Sequence, residues 1–298
     1  MRFGIDLGGT KTEIVALKPD GGVALRRRMA TPGDYDSMLR AIGELVRGAD
    51  AETGTRGSVG MAIPGSESFG SGLIKNANTT YLIGKPLRLD LEKILERPVR
   101  LANDANCFAL SEASDGAAKG ADTVFGVIAG TGVGGGVVVD GKVLNGAHGI
   151  GGEWGHIPLP APSVAEVTDA PLCYCGKRGC LEVWCSGPGL AHDFKRATGQ
   201  KVSAEQIAAS DGEQERAAVG RLIDRFARAM ATMVNILDPD VIVMGGGLSN
   251  IKRLYDELPP LVETYAFNPG GMPRIVKNMH GDSSGVRGAA WLWSSGID

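Results

Sequence analysis

The sequence predicts an α/β protein built as two halves on one plan, with a cleft between them. Three observations lead there. Short apolar runs of strand length alternate with amphipathic helical stretches. A three-strand meander with a glycine-rich first turn opens at Arg2, and a second of the same form opens at Thr123. Glycine is abundant, 45 of 298 residues, about twice the usual ~7%. The glycines cluster at 8–9, 130–136, 151–155 and 245–247, between apolar runs, where tight turns and close backbone approach to a ligand need them. A chain of 298 residues is expected to form two domains of roughly 100–200 residues.

Taken in order, residues 2–7 form an apolar strand that Gly8-Gly9-Thr10 turns into a second at 12–17. Asp20-Gly21-Gly22 turns it again into a third at 23–30, completing an antiparallel meander. Met38, Ile42, Leu45 and Val46 stand at helical spacing within 35–49. A buried strand at 58–63 stops at Pro64-Gly65. Asp90 is placed as the N-cap of a helix over 91–96, which Pro98 terminates. A strand at 99–102 runs into Asn103-Asp104, and a helix follows from about 105 to 118. The plan then repeats, with strands at 123–130, 134–139 and 142–145. A helix over 213–237 carries Val219, Leu222, Phe226, Met230, Met233 and Leu237 on one face, a core-packing stripe, and Asp238-Pro239 ends it. An apolar strand at 241–244 enters Gly245-Gly246-Gly247, and Ser249 opens another helix. A last strand at 274–278 and a helix over about 285–293 close the chain, the helix packing back on the first half. The domain boundary is expected near 118–122, dividing residues 1–120 plus 283–298 from 121–282.

Composition excludes several classes. A net charge of −3 offers no footprint for nucleic acid or for an anionic membrane surface. No apolar run approaches the ~20 residues that span a bilayer. Met1 runs directly into RFGIDL, with no apolar signal region. Of five cysteines three are clustered, which leaves Cys107 and Cys185, and a reducing cytoplasm is the simplest compartment.

The clustered cysteines lie in GEWGH (152–156) and CYCGKRGCLE (173–182). His156, Cys173, Cys175 and Cys180 make a closed three-Cys, one-His set suited to structural Zn²⁺. The alternative is a group of reduced buried thiols. Polar Lys177 and Arg178 beside them do not look like core. Glu153 and Glu182 stand at the two ends of the segment.

Three glycine-rich turns follow strands: DLGGTK (6–11), GTGVGGG (130–136) and GGG (245–247). Backbone N–H groups in such turns make nests for phosphate oxygens. None matches a P-loop, and the first two enter hairpin strands, which argues against Walker and Rossmann folds. Asp6 is placed to hold Mg²⁺ through water, or else caps a turn. Lys11 brackets the same turn, or is a solvated surface lysine. In LANDANC (101–107), Asp104 is either an N-cap or a general base that accepts a proton from an attacking hydroxyl. In phosphoryl transfer the protein mainly positions groups and offsets charge, so one carboxylate at the hydroxyl and one Mg²⁺ at the phosphates suffice. Asn103 and Asn78 read as sugar hydrogen bonders or as turn residues.

Together, DLGGTK, LANDANC, GTGVGGG, GEWGH, CYCGKRGCLE and VIVMGGGLSN resemble the ROK family of sugar kinases, over residues 1 to about 293. Through KNANTTYL, VRLANDANC, GEWGHIPLP and HGDSSGVRGAAWLW the chain is most similar to bacterial fructokinases, with N-acetylglucosamine kinases second. The resemblance implies an actin-like ATPase fold of two α/β domains with ATP in the cleft, and a homodimer. It implies that Asp104 is the catalytic base and that Asn103, Glu153, His156 and Glu182 hold the hexose, with Gly65 and Asn78 on the sugar side. It assigns His156, Cys173, Cys175 and Cys180 to zinc. Phosphate binding falls to Gly4, Ile5, Asp6, Leu7, Gly8, Gly9, Thr10 and Lys11, and to Gly130, Thr131, Gly132, Val133, Gly134, Gly135, Gly136 and Val137. Gly246 and Gly247 lie toward the adenosine. ROK repressors carry an N-terminal helix-turn-helix, whereas here Met1 stands five residues before Asp6, which counts against a sugar-sensing regulator. His148, His192 and His280 fall outside the motifs that carry site residues. The expected activity is ATP-dependent phosphorylation of a hexose, D-fructose to fructose 6-phosphate, with N-acetylglucosamine kinase or glucokinase as the alternative.

Overall fold

The computed structural model describes residues 1–267 and 271–293. Its frame is two five-stranded sheets with the same strand order. In the first, β1 (Arg2–Leu7), β2 (Lys11–Leu17) and β3 (Val23–Ala30) form the antiparallel meander, and β4 (Ser58–Ile63) and β7 (Val99–Asn103) add in parallel on the other side of β1, giving β3-β2-β1-β4-β7. In the second, β8 (Thr123–Ala129), β9 (Val133–Val139) and β10 (Lys142–Val143) form the meander, and β11 (Val241–Gly245) and β12 (Arg274–Lys277) add in parallel, giving β10-β9-β8-β11-β12. A small hairpin, β5 (Ser66–Glu67) with β6 (Ile74–Lys75), stands apart. The parallel strands of each sheet therefore all end at one edge. In open α/β sheets the crevice outside the carboxyl ends of strands is where ligands bind.

Helix α1 (Tyr35–Thr53) covers the first sheet. Asp34 caps it by accepting from Ser37 N at 2.9 Å, and Gly54 ends it in the left-handed region. Tyr35, Met38, Leu39, Ile42, Val46 and Ala49 pack with Phe3, Ile5, Ile14 and Met61 in one core. The next helix, α2, spans Leu87–Leu95, so Asp90 is not its N-cap. Starting at Leu87 buries Leu87, Leu91 and Leu95 on one face, and Asp90 instead accepts from the Tyr35 hydroxyl at 2.8 Å. Burial of three leucines outweighs a capping preference of about 1 kcal/mol. Helix α3 is Asp104–Asp115 and stops at Gly116, short of 118, where the Glu112 carboxylate accepts from Ala117 N. The strand expected at 142–145 ends at Val143, since the Asn145 carbonyl turns away to accept from Gly151 N.

Between β10 and β11 the chain makes a long excursion. It holds α4 (Val164–Thr168), α5 (Leu181–Cys185), α6 (Gly187–Thr198), α7 (Ala204–Ala209) and α8 (Glu213–Leu237). Only α8 was expected; its stripe packs with Phe125, Trp154, Trp184 and Met244 in the second core. Two of the short helices carry a legible signal, the capping boxes Ser163/Glu166 and Ser203/Gln206. Ser249 does not open a helix. It lies buried in a 3₁₀ turn with its hydroxyl on the Gly246 carbonyl at 2.7 Å, and α9 runs Arg253–Tyr265. The last helix, α10, spans Ser284–Trp291, and residues 294–298 of the terminal segment assigned to the first domain lie outside the described residues.

The two helices that follow the edge strands cross over. α3, which follows β7, packs on β8 and β9 of the second sheet, while α10, which follows β12, packs on β1 and β4 of the first. They also pack on each other so closely that a Cβ at Gly288 would overlap the Cys107 carbonyl. Among the described residues, no helix is long and apolar enough to cross a membrane.

Candidate active site

The strand ends deliver the site. Asp6 is the penultimate residue of β1, and the turn after it is held from behind. The Thr31 hydroxyl donates to the Gly8 carbonyl at 2.8 Å and meets the Thr12 hydroxyl at 2.9 Å, while Gly8 N donates to the Lys11 carbonyl. Gly9, Thr10 and Lys11 are exposed at the tip, and Gly4, Ile5 and Leu7 are buried in the strand. At the end of β7 the capping role belongs to Asn103. Its Oδ1 accepts from Ala105 N at 2.9 Å and its Nδ2 donates to the Gly65 carbonyl at 3.2 Å, fastening the β4 loop to the start of α3. Asp104 accepts from the same N–H at 2.8 Å. A cavity of about 480 Å³ brings together Asp6, Gly8, Gly9, Asn78, Asp104 and Gly246. Asp282 and Ser284, from the loop and first turn of α10, line it too; sequence reading did not single them out.

The electrostatics of this cleft are strained by like charge. Burial first, then the charges of Asp104 and Glu13, raise the Asp6 carboxyl to about 6, with Lys11 opposing. Asp104 is solvent-accessible through the cleft, yet protein surrounds it on most sides. That poor solvation raises its pKa, against the lowering effect of the Ala105 N–H and Asn103. Two crowded carboxylates facing one cavity suit a cation at one and a transferable proton at the other.

The second glycine turn stands across the cleft. Gly130 N donates to the Gly132 carbonyl at 2.9 Å, and Gly187 N donates to the Gly130 carbonyl at 2.7 Å. Gly246 and Gly247 sit beside Ala129 and Gly130, so the turns after β8 and β11 adjoin. Gly134–Val137 lie within β9, where lack of a side chain at Gly136 lets the first turn of α3 settle on the strand. Thr131 is exposed at the turn's tip. Val133 N donates to Glu182 Oε2 at 3.0 Å, which ties the turn to α5.

Beyond it lies the Cys-rich segment. The ligand atoms of His156, Cys173, Cys175 and Cys180 all lie within 4.8 Å of one another. Cys175 Sγ is 3.6 Å from Cys180 Sγ, and Cys173 Sγ is 3.6 Å from His156 Nδ1. A tetrahedron with Zn–S of about 2.3 Å has edges of roughly 3.8 Å, so the set fits zinc. His156 turns Nδ1 to the thiols and Nε2 outward, to the Tyr174 hydroxyl at 2.9 Å. Glu182 reaches Cys173 Sγ with Oε1 at 3.9 Å, so the carboxylate bridges the Cys loop and the glycine turn. Glu153 is exposed, and crowding followed by the charges of Asp104 and Glu182 raises it, while His156 and Lys75 lower it. These groups therefore share one field. Lys75, which sequence reading left aside, donates to the His148 carbonyl at 2.6 Å and joins the β5–β6 hairpin to the second half.

Comparison with known proteins agrees with this geometry. The profile described as ROK family matches residues 2–295. The N-acetyl-D-glucosamine kinase of Pectobacterium atrosepticum is 40% identical over 299 residues, 98% of each chain. That of Vibrio cholerae is 42% identical over 299 residues, 98% of this chain and 99% of its own. Among solved structures, the ROK hexokinase from Thermus thermophilus superposes with a TM-score of 0.85 at 32% identity, over 97% of this chain and 96% of that one. A ROK glucokinase from Streptomyces griseus, in complex with glucose and AMPPNP, gives 0.78 at 25% identity over 99% of both. With its doubled sheet, its cleft at the strand ends and this match along nearly its whole length, the chain belongs to the ROK family and has the actin-like ATPase fold.

Proposed function

We propose that this protein is an ATP-dependent hexose kinase whose preferred sugar is N-acetyl-D-glucosamine. The observation that carries the kinase reading is the single cavity in which Asp6, the first glycine turn, Asp104 and Gly246 meet. The sugar's terminal hydroxyl is placed at Asp104, which takes its proton as the oxygen attacks the γ-phosphorus; the bond from that phosphorus to the β–γ bridging oxygen breaks, and ADP leaves. The triphosphate lies along residues 8–11 and 130–132, with the adenosine toward Gly246-Gly247. Asp6 would hold Mg²⁺ through water, and the ion offsets phosphate charge when bound. Asn78, Asn103 and Gly65 would meet the sugar from the first half, and Glu153, Glu182 and His156 Nε2 from the second. Zinc would sit on His156, Cys173, Cys175 and Cys180, a closed set with no open position, so its place is structural. Closure of the two halves, divided at residue 120 with α10 on the first, excludes water as a competing nucleophile. The reading includes a homodimer working in the cytoplasm.

The expectation of fructose gives way here to its alternative, because relatives at 40–42% identity over nearly the whole chain are N-acetyl-D-glucosamine kinases. A panel of kcat/KM values for N-acetylglucosamine, glucose, mannose and fructose tests it. N-acetylglucosamine is expected to lead by at least tenfold. Fructose or glucose in first place would overturn the substrate, and no ADP release with any hexose would overturn the kinase.

A further inference from the structure

The second half contains a cluster of charges that the proposed reaction does not use. Arg225 and Arg228 on α8, Glu166 on α4 and Asp193 on α6 are each more than nine-tenths buried. Arg225 Nε donates to Glu166 Oε1 at 2.7 Å and its Nη2 to Asp193 Oδ1 at 2.9 Å. Arg228 Nη2 reaches both Glu166 oxygens, at 3.1 and 3.2 Å, and its Nη1 donates to the carbonyls of Pro160 and Ala161 at 3.0 and 2.8 Å. Removing each ion from water costs several kcal/mol, and well-packed apolar residues are often as stable in such places. Stability alone is a poor account of the cluster.

Its contacts suggest another. Every acceptor lies in the excursion between β10 and β11, and the arginines come from one rigid 25-residue helix. Arg228 grips the arm that leads away from His156, and it holds Ala161 at φ +43°, a backbone state that a residue with a side chain seldom adopts. Arg225 grips the other arm: its guanidinium lies 4.8 Å from the centre of the Trp184 ring, two residues beyond Glu182 and four beyond Cys180. The planar fork of arginine can bind two carboxylates and stack on a ring at once, which lysine cannot do.

Building on the kinase reading, we infer that Arg225 is a positioning residue, which holds α5 through Trp184 and so sets the Glu182 carboxylate for the sugar, independently of the metal. Arg225→Met keeps the apolar stem and removes the fork. It is expected to weaken sugar binding, measured by calorimetry, by about tenfold, with ATP affinity and zinc content unchanged and kcat within about twofold. Arg225→Lys is expected to recover less than half of that loss on a logarithmic scale. Combined with Glu182→Gln, the loss is expected to fall well short of the product of the single losses, since both act through one carboxylate.

Equal losses of sugar and ATP affinity, or a multiplicative double variant, would overturn the inference. If Arg225→Met does not fold, Asp193→Asn carries the same test with the same expected split between sugar and ATP. A wild-type protein that binds hexose without phosphorylating it would remove the kinase reading, and the sugar affinities would still decide this one. A wild-type kinase whose sugar affinity is unmoved in these variants would remove this inference alone. A wild-type protein that binds no hexose would overturn both.

Discussion

The two halves share a strand order and differ in where they keep their charge. In the first, residues 31–57 join β3 to β4 and hold one helix, and the carboxylates stand at the strand ends, Asp6 next to last in β1 and Asp104 directly after β7. In the second, residues 144–240 join β10 to β11 and hold α4 to α8. The ends of β8 and β11 there are apolar or glycine, Ala129 and Gly245. Where β1 places Asp6 in its penultimate position, β8 places Ile128, and both line the same cavity. The charge of the second half has moved into the excursion, as Glu153, Glu182 and the buried cluster around Glu166. On the proposed reading, doubling the scaffold supplies two glycine turns for one triphosphate, with Asp6 as the cation-binding carboxylate and Asp104 as the base. On that reading the first half reacts and the second holds.

Three experiments break or sharpen that division. The largest effect is expected at Asp104. Asp104→Asn should lower kcat by a factor of about 10²–10⁴, with sugar and ATP affinities within a few-fold of wild type by calorimetry. A variant that keeps most of its kcat would remove the base from the first half.

Chelation comes next and acts on the second half. Stripping metal from the His156–Cys180 set should lower sugar affinity and the melting temperature together, because metal binding energy is folding energy for such a loop. ATP affinity should change little. A metal-free protein with full sugar affinity would show that the metal does not position Glu153 and Glu182, and would leave that work to the ion cluster.

The smallest effect is a pair of opposed pH slopes. The Asp6 carboxyl is raised from 3.8 to about 6. In the absence of Mg²⁺ it therefore contributes stability that is fully present below about pH 3.8 and is lost as pH rises through about 6. Glu166 is lowered from 4.5 to about 2: although burial pushes it up, the bonds from Arg228, Arg225 and Ser163 N outweigh it. Its contribution is present above about pH 4.5 and is lost as pH falls toward 2. Thermal unfolding against pH should show Asp6→Asn flattening the slope between pH 4 and 6, and Glu166→Gln flattening the one below pH 4.5. A single slope altered by both variants would mean that the halves do not titrate separately.

Much of the frame was readable in one dimension. The bounds of β1, β3, β4 and α8 follow from apolar period and from punctuation by Gly and Asp-Pro, which are local signals. The start of α2 was misplaced because Asp90 is a good cap in isolation, while three buried leucines decide the matter in the folded chain. Helices α4, α5 and α7 went unread because each is short, although Ser163/Glu166 and Ser203/Gln206 were there to see, and the 12-residue α6 was missed although Ser186, Pro188 and Gly199 punctuate it. At the site, Asp6, Asp104 and the Cys and His residues stand out by type and by place at strand ends. Asn103, not Asp104, proves to be the cap with both carboxamide atoms engaged, and the Glu182 bridge to Val133 N has no sequence signal.

By itself, then, the sequence determined the doubled plan, the glycine turns and the four soft donors, because strand period, turn chemistry and ligand type are properties of neighbouring residues. Only the tertiary structure decided that α3 packs on the second sheet, that Asp282 and Ser284 enter the cleft, and that Arg225 stands over Trp184. Those depend on which distant surfaces bury one another, and burial is a sum over the whole chain that no local stretch records.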